Sequence, residues 1–249
     1  MYPVLFNSDF FTLYSYPLFM GLAWGVGYFL TLAQFEKAQI DPRQLLPLFI
    51  GIFISAWIGA KVFFLLVTPA HLAEKYLFAN YFWLGGGFVF YGGLIFGLIF
   101  FLTYSFWLKK FDFSKSYLLV PGLVMGHAIG RVGCFFAGCC YGSQCDLPWS
   151  MTIEGVHRHP VQLYEAFYLL AFGIYILKRS KSEQLQRTVA SSYLIYYSVG
   201  RFILEYFRGD DIRGLYWLNL STSQYVSVFL FLSGIVWHFS FRAKLPIKD

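Results

Sequence analysis

Apolar residues along this chain run in long blocks, separated by short connections that carry most of the lysines and arginines. A block of about 20 apolar residues is enough to cross a bilayer as a helix. Seven blocks qualify: Leu13–Phe35, Leu45–Val67, Trp83–Leu108, Tyr117–Cys139, Leu163–Leu177, Val189–Phe207 and Gln224–Phe241. The fifth is short, and its helix is expected to begin a little earlier. No low-complexity tract, heptad repeat or long linker interrupts the series. The pattern predicts an all-α polytopic membrane protein with seven transmembrane helices, folded as a single integral-membrane domain over residues 1–249.

The connections give the expected orientation. Alternate connections carry twelve and four basic residues, the richer set being Glu36–Gln44, Lys109–Ser116, Lys178–Thr188 and the C-terminal tail. Basic residues are retained on the cytoplasmic side, so the N-terminus is expected outside and the C-terminus in the cytoplasm. An odd number of spans agrees. Met1–Asp9 carries no basic residue, so the charged start of a cleavable signal peptide is missing and the first block is expected to remain as a span.

Composition strengthens this picture. Of the 249 residues, 58% are hydrophobic and only 13% charged, against a usual charged share of about 25%. A soluble domain of this length could not hide so much apolar surface. The formal charge of +6 falls in loops between apolar runs, which is the positive-inside arrangement and not a nucleic-acid patch.

The candidate chemistry lies where charge is expensive. The stretch Gly126–Gly142, GHAIGRVGCFFAGCCYG, places His127 and Arg131 one helical turn apart beside three of the four cysteines. An arginine in an apolar segment must face protein or a wet cavity. Lys61, Glu165, Arg201 and Glu205 also fall within predicted spans, and His238 lies near the end of the seventh. Tyr197, Arg201 and Glu205 form a stripe at four-residue spacing, along which Arg201 and Glu205 can pair. The embedded groups lean cationic, three against two, so the interior suits an anionic headgroup, and arginine is the side chain that grips phosphate with a two-pronged fork. In HRHPVQLYEA, from His157 to Ala166, Pro160 suits the first turn of a helix, with His159, Gln162, Tyr164 and Glu165 as polar groups at the outer membrane edge. The glycine clusters Gly85–Gly87 and Gly92–Gly93 fit either close helix packing or an irregular backbone lining a cavity.

These segments resemble those of the bacterial prolipoprotein diacylglyceryl transferases. HPVQLYEA is similar to the family's HPSQLYE segment, GRVGCFFAGCCYG to its GRxGNFxNxExxG signature, and YSVGRFILEYFRGDD to its YxxxRFxxEFFRxxD segment. FYGGLIFG resembles HGGLIG, LSTSQ resembles LSMGQ, and Tyr16 falls where the family has a tyrosine in its first span. The matches run in order from the first span to the last. The resemblance implies a transferase of the cell inner membrane with its active site open to the outer side. Such an enzyme moves diacylglyceryl from phosphatidylglycerol to the lipobox cysteine of a secreted prolipoprotein, releases glycerol phosphate, and needs no metal or other cofactor. Arg131, Gly142, Tyr197, Arg201 and Glu205 match family positions. Arg131 and Arg201 are expected to stabilise the charge gathering on the leaving phosphate, Tyr197 to bond the headgroup, and Glu205 to hold Arg201 or move a proton. Tyr16, Lys61, Tyr91, Gly92, Gly93, Cys134, Gly142, His159, Gln162, Tyr164 and Glu165 complete the expected substrate-binding set.

The chain departs from the family at Tyr91, which replaces a histidine, at Cys134 and Ala137, which replace asparagines, and at Cys139, which replaces a glutamate. The acceptor thiol needs a base, and His127 is the candidate for it. Three readings stand for Cys134, Cys139, Cys140 and Cys145: disulfides on the oxidising side of the membrane, small buried residues at formerly polar positions, or a reactive thiol or metal site. The spacing lacks the paired Cys-x-x-Cys of zinc ribbons and thioredoxin-like motifs. Two rival functions follow from the departures. One is a membrane thiol–disulfide oxidoreductase using the cysteine cluster; the other is a non-catalytic lipid-binding protein that kept the fold. A family member with a different donor or acceptor is a third variant.

Overall fold

A computed structural model describes residues 2–8, 12–69, 89–153, 155–179, 183–209 and 220–242, and the described residues form seven α-helices and two short hairpins. The helices are α1 (Ser15–Lys37), α2 (Leu45–Val67), α3 (Phe90–Leu102), α4 (Val120–Ala137), α5 (Val161–Lys178), α6 (Glu183–Leu204) and α7 (Thr222–Arg242). Among the described residues, four helical segments are long and apolar enough to cross a membrane: Ser15–Lys37, Pro42–Val67, Phe113–Ala137 and Val161–Lys178. A shorter apolar helix covers Tyr91–Trp107. The outward faces are those of a membrane protein: Phe29, Leu66, Phe167, Phe229 and Val236 are each about two-thirds exposed or more, while Gln162, Glu165, Arg201 and Glu205 are buried. Lipid rewards that inversion, because apolar side chains lose nothing by facing acyl chains and charges do.

Several expected boundaries move by a turn. The fourth span begins as a 3-10 turn, Phe113–Leu119, before α4. The fifth starts at Val161, directly after Pro160, which acts as the N-cap and not as a first-turn residue. The third continues past α3 as a π-helical turn, Thr103–Trp107; its expected start at Trp83, and the cluster Gly85–Gly87, lie outside the described residues. The all-α expectation is corrected at two places. Strands β1 (Val4–Asn7) and β2 (Thr12–Tyr14) pair antiparallel, as do β3 (Met151–Ile153) and β4 (Val156–Arg158). Both hairpins lie between or before helices, where short segments must satisfy their own N–H and C=O groups. Gly155, at φ +78°, makes the second turn.

The chain divides into two units. The first comprises Met1–Thr31 and Tyr117–Asp249. Its core is Val120, Val124 and Ala128 of α4 packed with Leu169, Phe172 and Ile176 of α5 and Val189 of α6. Tyr168 and Tyr196 clasp α5 to α6: their rings stack at 3.9 Å, and each hydroxyl donates to the other's backbone carbonyl, at 2.6 and 3.1 Å. Tyr2 N–H donates to the Phe136 carbonyl, so β1 is tied to the end of α4.

The second unit is Leu32–Ser116. Its centre is the α2–α3 pair, where a Cβ on Gly92 would collide with the Gly59 carbonyl and one on Gly59 with the Gly92 carbonyl. Gly93 lies over Ala56, with 3.1 Å between its ideal Cβ and the Ala56 carbonyl. Between lipid-embedded helices such small-residue contacts replace the hydrophobic drive found in water. Gly92 and Gly93, expected in a substrate site, therefore have a packing role. Lys61 is buried and sits 5.9 Å over the Trp57 ring in the same unit; Tyr91 is 44% exposed on α3.

Candidate active site

Among the described residues, the charged side chains that the first unit buries come from three helices, α4, α5 and α6. Arg131 projects from α4, one turn after His127. Glu165 lies on the second turn of α5. Arg201 and Glu205 are one turn apart where α6 tightens into the 3-10 turn Glu205–Phe207. Packing α4 and α6 on α5 brings these groups together. Glu165 is the hub: its Oε1 is 3.0 Å from Arg131 Nε and 3.7 Å from His127 Nε2, and its Oε2 is 3.8 Å from Arg201 Nη1. Arg201 Nη2 lies 2.7 Å from Glu205 Oε2, the pairing that the four-residue spacing predicts.

Hydroxyls complete the cluster. Arg201 Nη2 donates to Ser223 Oγ at 3.0 Å, and Ser221 Oγ donates to Glu205 Oε1 at 2.8 Å. Ser221 is itself fixed at the start of α7, its N–H donating to Gln224 Oε1 at 2.9 Å. His127 Nδ1 lies 3.0 Å from the Tyr193 hydroxyl, and its ring packs 5.1 Å from Tyr197. Tyr197 interacts with both Arg131 and Glu165. Tyr16, at the start of α1, is within electrostatic range of Arg131 and Cys134.

This cluster holds two guanidinium and two carboxylate groups, so its formal charges balance. The expected cationic excess rested on Lys61, which belongs to the other unit. Balance does not mean saturation. Arg131 Nε, Arg201 Nη1 and Glu165 Oε1 are buried and lie within ion-pair range, yet none has a well-directed hydrogen bond. Buried polar atoms of this kind retain capacity for a partner. An anion with several oxygens, entering between Arg131 and Arg201, would meet directed donors from both.

The remaining expected residues gather at the connection between α4 and α5. Gly142 N–H donates to the His159 carbonyl at 3.0 Å, and a Cβ on Gly142 would sit 2.5 Å from the Cβ and carbonyl oxygen of His159. Gly142 also bridges to Arg208, beyond the 3-10 turn. Only glycine lets these three segments approach so closely. The Tyr164 hydroxyl accepts from Trp149 Nε1 at 2.8 Å and lies 3.3 Å from His159 Nδ1. Gln162 is buried, and its Nε2 donates to the Cys139 carbonyl at 2.7 Å. His159, Gln162, Tyr164 and Gly142 thus order the loop next to the charged cluster and do not join it. Ser221, Ser223 and Tyr193 were not singled out by sequence reasoning. LSTSQ flagged the segment of the serines, and Tyr193 extends the Tyr197–Arg201–Glu205 stripe by one turn.

All four cysteines are free thiols, so the disulfide reading of the cluster is not what the structure contains.

The family described as Prolipoprotein diacylglyceryl transferase matches residues 3–240. The chain is 32% identical over 244 residues to a protein of Clostridium tetani named phosphatidylglycerol–prolipoprotein diacylglyceryl transferase, covering 94% of this chain and 96% of that one. It is 30% identical to a protein of Clostridium perfringens named phosphatidylglycerol–prolipoprotein diacylglyceryl transferase 2, over 90% of this chain and 89% of that one. A protein of Finegoldia magna with the first of these names is 29% identical over 94% of this chain and 93% of its own length. With a family match spanning nearly its whole length, the chain belongs to the prolipoprotein diacylglyceryl transferase family.

Proposed function

We propose that this protein transfers the diacylglyceryl group of phosphatidylglycerol to the lipobox cysteine of a secreted prolipoprotein. It does so in the bacterial inner membrane, as a seven-span protein with its N-terminus outside, its C-terminus in the cytoplasm and its site open to the outer side. The observation that carries the reading is Glu165, a carboxylate held between Arg131 and Arg201 at 3.0 and 3.8 Å. That is the position in which a phosphate would be gripped from two helices.

In the proposed step the acceptor sulfur attacks the glyceryl methylene carbon that bears the phosphate ester. The carbon–oxygen bond breaks, its electron pair passes to the phosphate oxygen, and glycerol phosphate leaves. Arg131 and Arg201 stabilise the charge that grows on that oxygen, a contribution that fixed donors make without reorganising. Glu205, bonded by Ser221, holds the Arg201 fork in position. Tyr197 faces the headgroup beside Arg131. His127 takes the acceptor thiol's proton, because Tyr91 stands at the position of the histidine in the HGGLIG segment that FYGGLIFG resembles. Glu165 yields its place to the phosphate and remains nearby as counter-charge.

The test uses purified protein in lipid, phosphatidylglycerol with a labelled acyl chain, and a lipobox peptide. Glycerol phosphate release together with label on the peptide is expected. Arg201→Ala is expected to abolish both while membrane insertion persists. Turnover retained in that variant would remove Arg201 from the mechanism. Headgroup release without peptide labelling would point to another acceptor, and neither product from folded protein would overturn the donor assignment.

A further inference from the structure

The thiols at the end of α4 form a second cluster, to which the transfer step proposed above gives no role. Helix α4 closes on Gly138, at φ +75°. Gly138 N–H bonds back to the Phe135 carbonyl and Cys139 N–H to the Cys134 carbonyl, both at 3.2 Å. These two bonds are a Schellman motif, and it folds Cys139 back over the last turn of the helix. Cys139 Sγ comes to lie 3.7 Å from the Cys134 carbonyl. Cys140 follows with φ +60°, a left-handed conformation that costs a non-glycine residue energy. A third thiol thereby comes close to the other two. The sulfurs of Cys134, Cys139 and Cys140 all lie within 4.8 Å of one another.

From this geometry we infer that Cys134, Cys139 and Cys140 form a binding site for a thiophilic closed-shell metal ion, Zn(II) or Cu(I), beside the charged cluster. With metal–sulfur bonds near 2.3 Å, ligand sulfurs sit roughly 3.8 Å apart, so small rotamer changes close the site. Thiolate-only donor sets select Cu(I) and Zn(II) over hard cations. Three thiolates leave one coordination position for water on zinc, or none in trigonal Cu(I). Two cations stand near the thiolate charge: Arg131 and Arg208 both interact electrostatically with Cys140. Gln162 adds an independent sign. It is 2% exposed, its Nε2 is anchored on the Cys139 carbonyl, and its Oε1 has no hydrogen-bond partner. An oxygen so placed is suited to accept from a metal-bound water, as outer groups do around other sites. Cys139 is exposed and provides the entry path, whereas Cys134 is buried. Binding exchanges thiol protons for the ion, and the protons leave to solvent. Cys145, whose N–H bonds the His157 carbonyl, belongs to the loop and not to the site.

The experiment is a Cd²⁺ titration of the full-length protein, reduced and freed of reductant. It follows the ultraviolet thiolate-to-cadmium band and the number of thiols open to a colorimetric reagent. One equivalent of Cd²⁺ is expected to saturate the band and to protect the accessible Cys139 and Cys140 thiols from the reagent, while Cys145 stays reactive. Excess Zn²⁺, or Cu⁺ under anaerobic conditions, is expected to displace the cadmium, and the one that does so identifies the ion. Cys139→Ser and Cys140→Ser are each expected to weaken binding by roughly 10-fold or more, at least the effect of losing an outer partner, while Cys145→Ser leaves it unchanged. Cys139 is exposed, so its variant tests the site without touching the core. Binding that survives both single variants, or is lost equally in Cys145→Ser, would overturn the site. So would thiols that vanish in air without metal and return with a phosphine reductant, because a disulfide would then occupy the cluster.

Discussion

Glu165 has almost no solvent around it and a guanidinium on either side, so its removal is felt by Arg131 and Arg201. Breaking a buried charge network from one side costs roughly 3–5 kcal/mol. Glu165→Gln is therefore expected to lower thermal stability by an amount in that range. If phosphate and Glu165 compete for the two arginines, the same variant has a lower KM for phosphatidylglycerol; an unchanged or higher KM would count against displacement. Glu205 acts differently, with Ser221 on one oxygen and Arg201 on the other. Glu205→Gln keeps the serine bond and weakens the charged one, a loss of about 1.5–3 kcal/mol. The expected fall in kcat/KM is roughly 10- to 100-fold, read in the same transfer assay, and activity equal to the parent would dismiss the positioning role. Arg131, Arg201 and Glu205 were legible in the sequence because a charge inside an apolar run needs a reason. The central place of Glu165 was not, since it depends on how α5 sits between α4 and α6. Ser221, Ser223 and Tyr193 were hidden for another reason: hydroxyl side chains are common in helices, and only their partners mark them.

Helices, at the next scale, were mostly readable and their ends less so. Apolar length predicts that a span exists, but ends are set by local bonds, such as the Schellman turn at Gly138 and the 3-10 entry to α4. The hairpins escaped because runs of three or four residues carry no periodic signal. Two predictions belong here. In the α2–α3 pair, Gly92→Leu forces a side chain against the Gly59 carbonyl and Phe63. Overpacking of that kind costs about 1–3 kcal/mol, and the measured melting temperature in detergent should fall, while Gly21→Leu, whose Cβ meets nothing within 4 Å, leaves it near the parent value. The second concerns the turn that leads into α4. The Asp112 carboxylate accepts from Ser114 N–H at 3.0 Å and from Ser114 Oγ at 2.7 Å. Those bonds hold its pKa below the usual carboxylate value. A lowered folded-state pKa contributes stability that is present above the unfolded value and is lost as pH falls through the folded one. Protection of the Ser114 amide from exchange should therefore persist at neutral pH and disappear in acid below the ordinary aspartate range. Asp112→Ala should lack it at every pH.

At the scale of the whole molecule, the proposed orientation rests on charge and is independent of packing. Twelve basic residues in one set of connections and four in the other orient a chain in a bacterial membrane, because lysine and arginine are retained on the cytoplasmic side. In the proposed orientation the loop between α4 and α5, with its ordered Gly142, His159 and Tyr164, lies on the face from which a secreted prolipoprotein would arrive. Cys145 lies in that loop and is partly exposed, so it serves as a natural reporter. In a variant with Cys134, Cys139 and Cys140 changed to Ala, a membrane-impermeant maleimide should label Cys145 in intact cells. Replacing Cys145 as well and introducing Ser116→Cys moves the reporter to a lysine-rich connection, where labelling should wait until the membrane is opened. The reverse pattern would invert the topology, and with it the side from which the acceptor reaches Arg131 and Arg201. Labelling of both reporters in intact cells would show that basic residues do not decide the orientation of this chain. The expected pattern would place the buried ion pairs of α4, α5 and α6 beneath an outward-facing loop, where a lipid headgroup and a secreted thiol can meet.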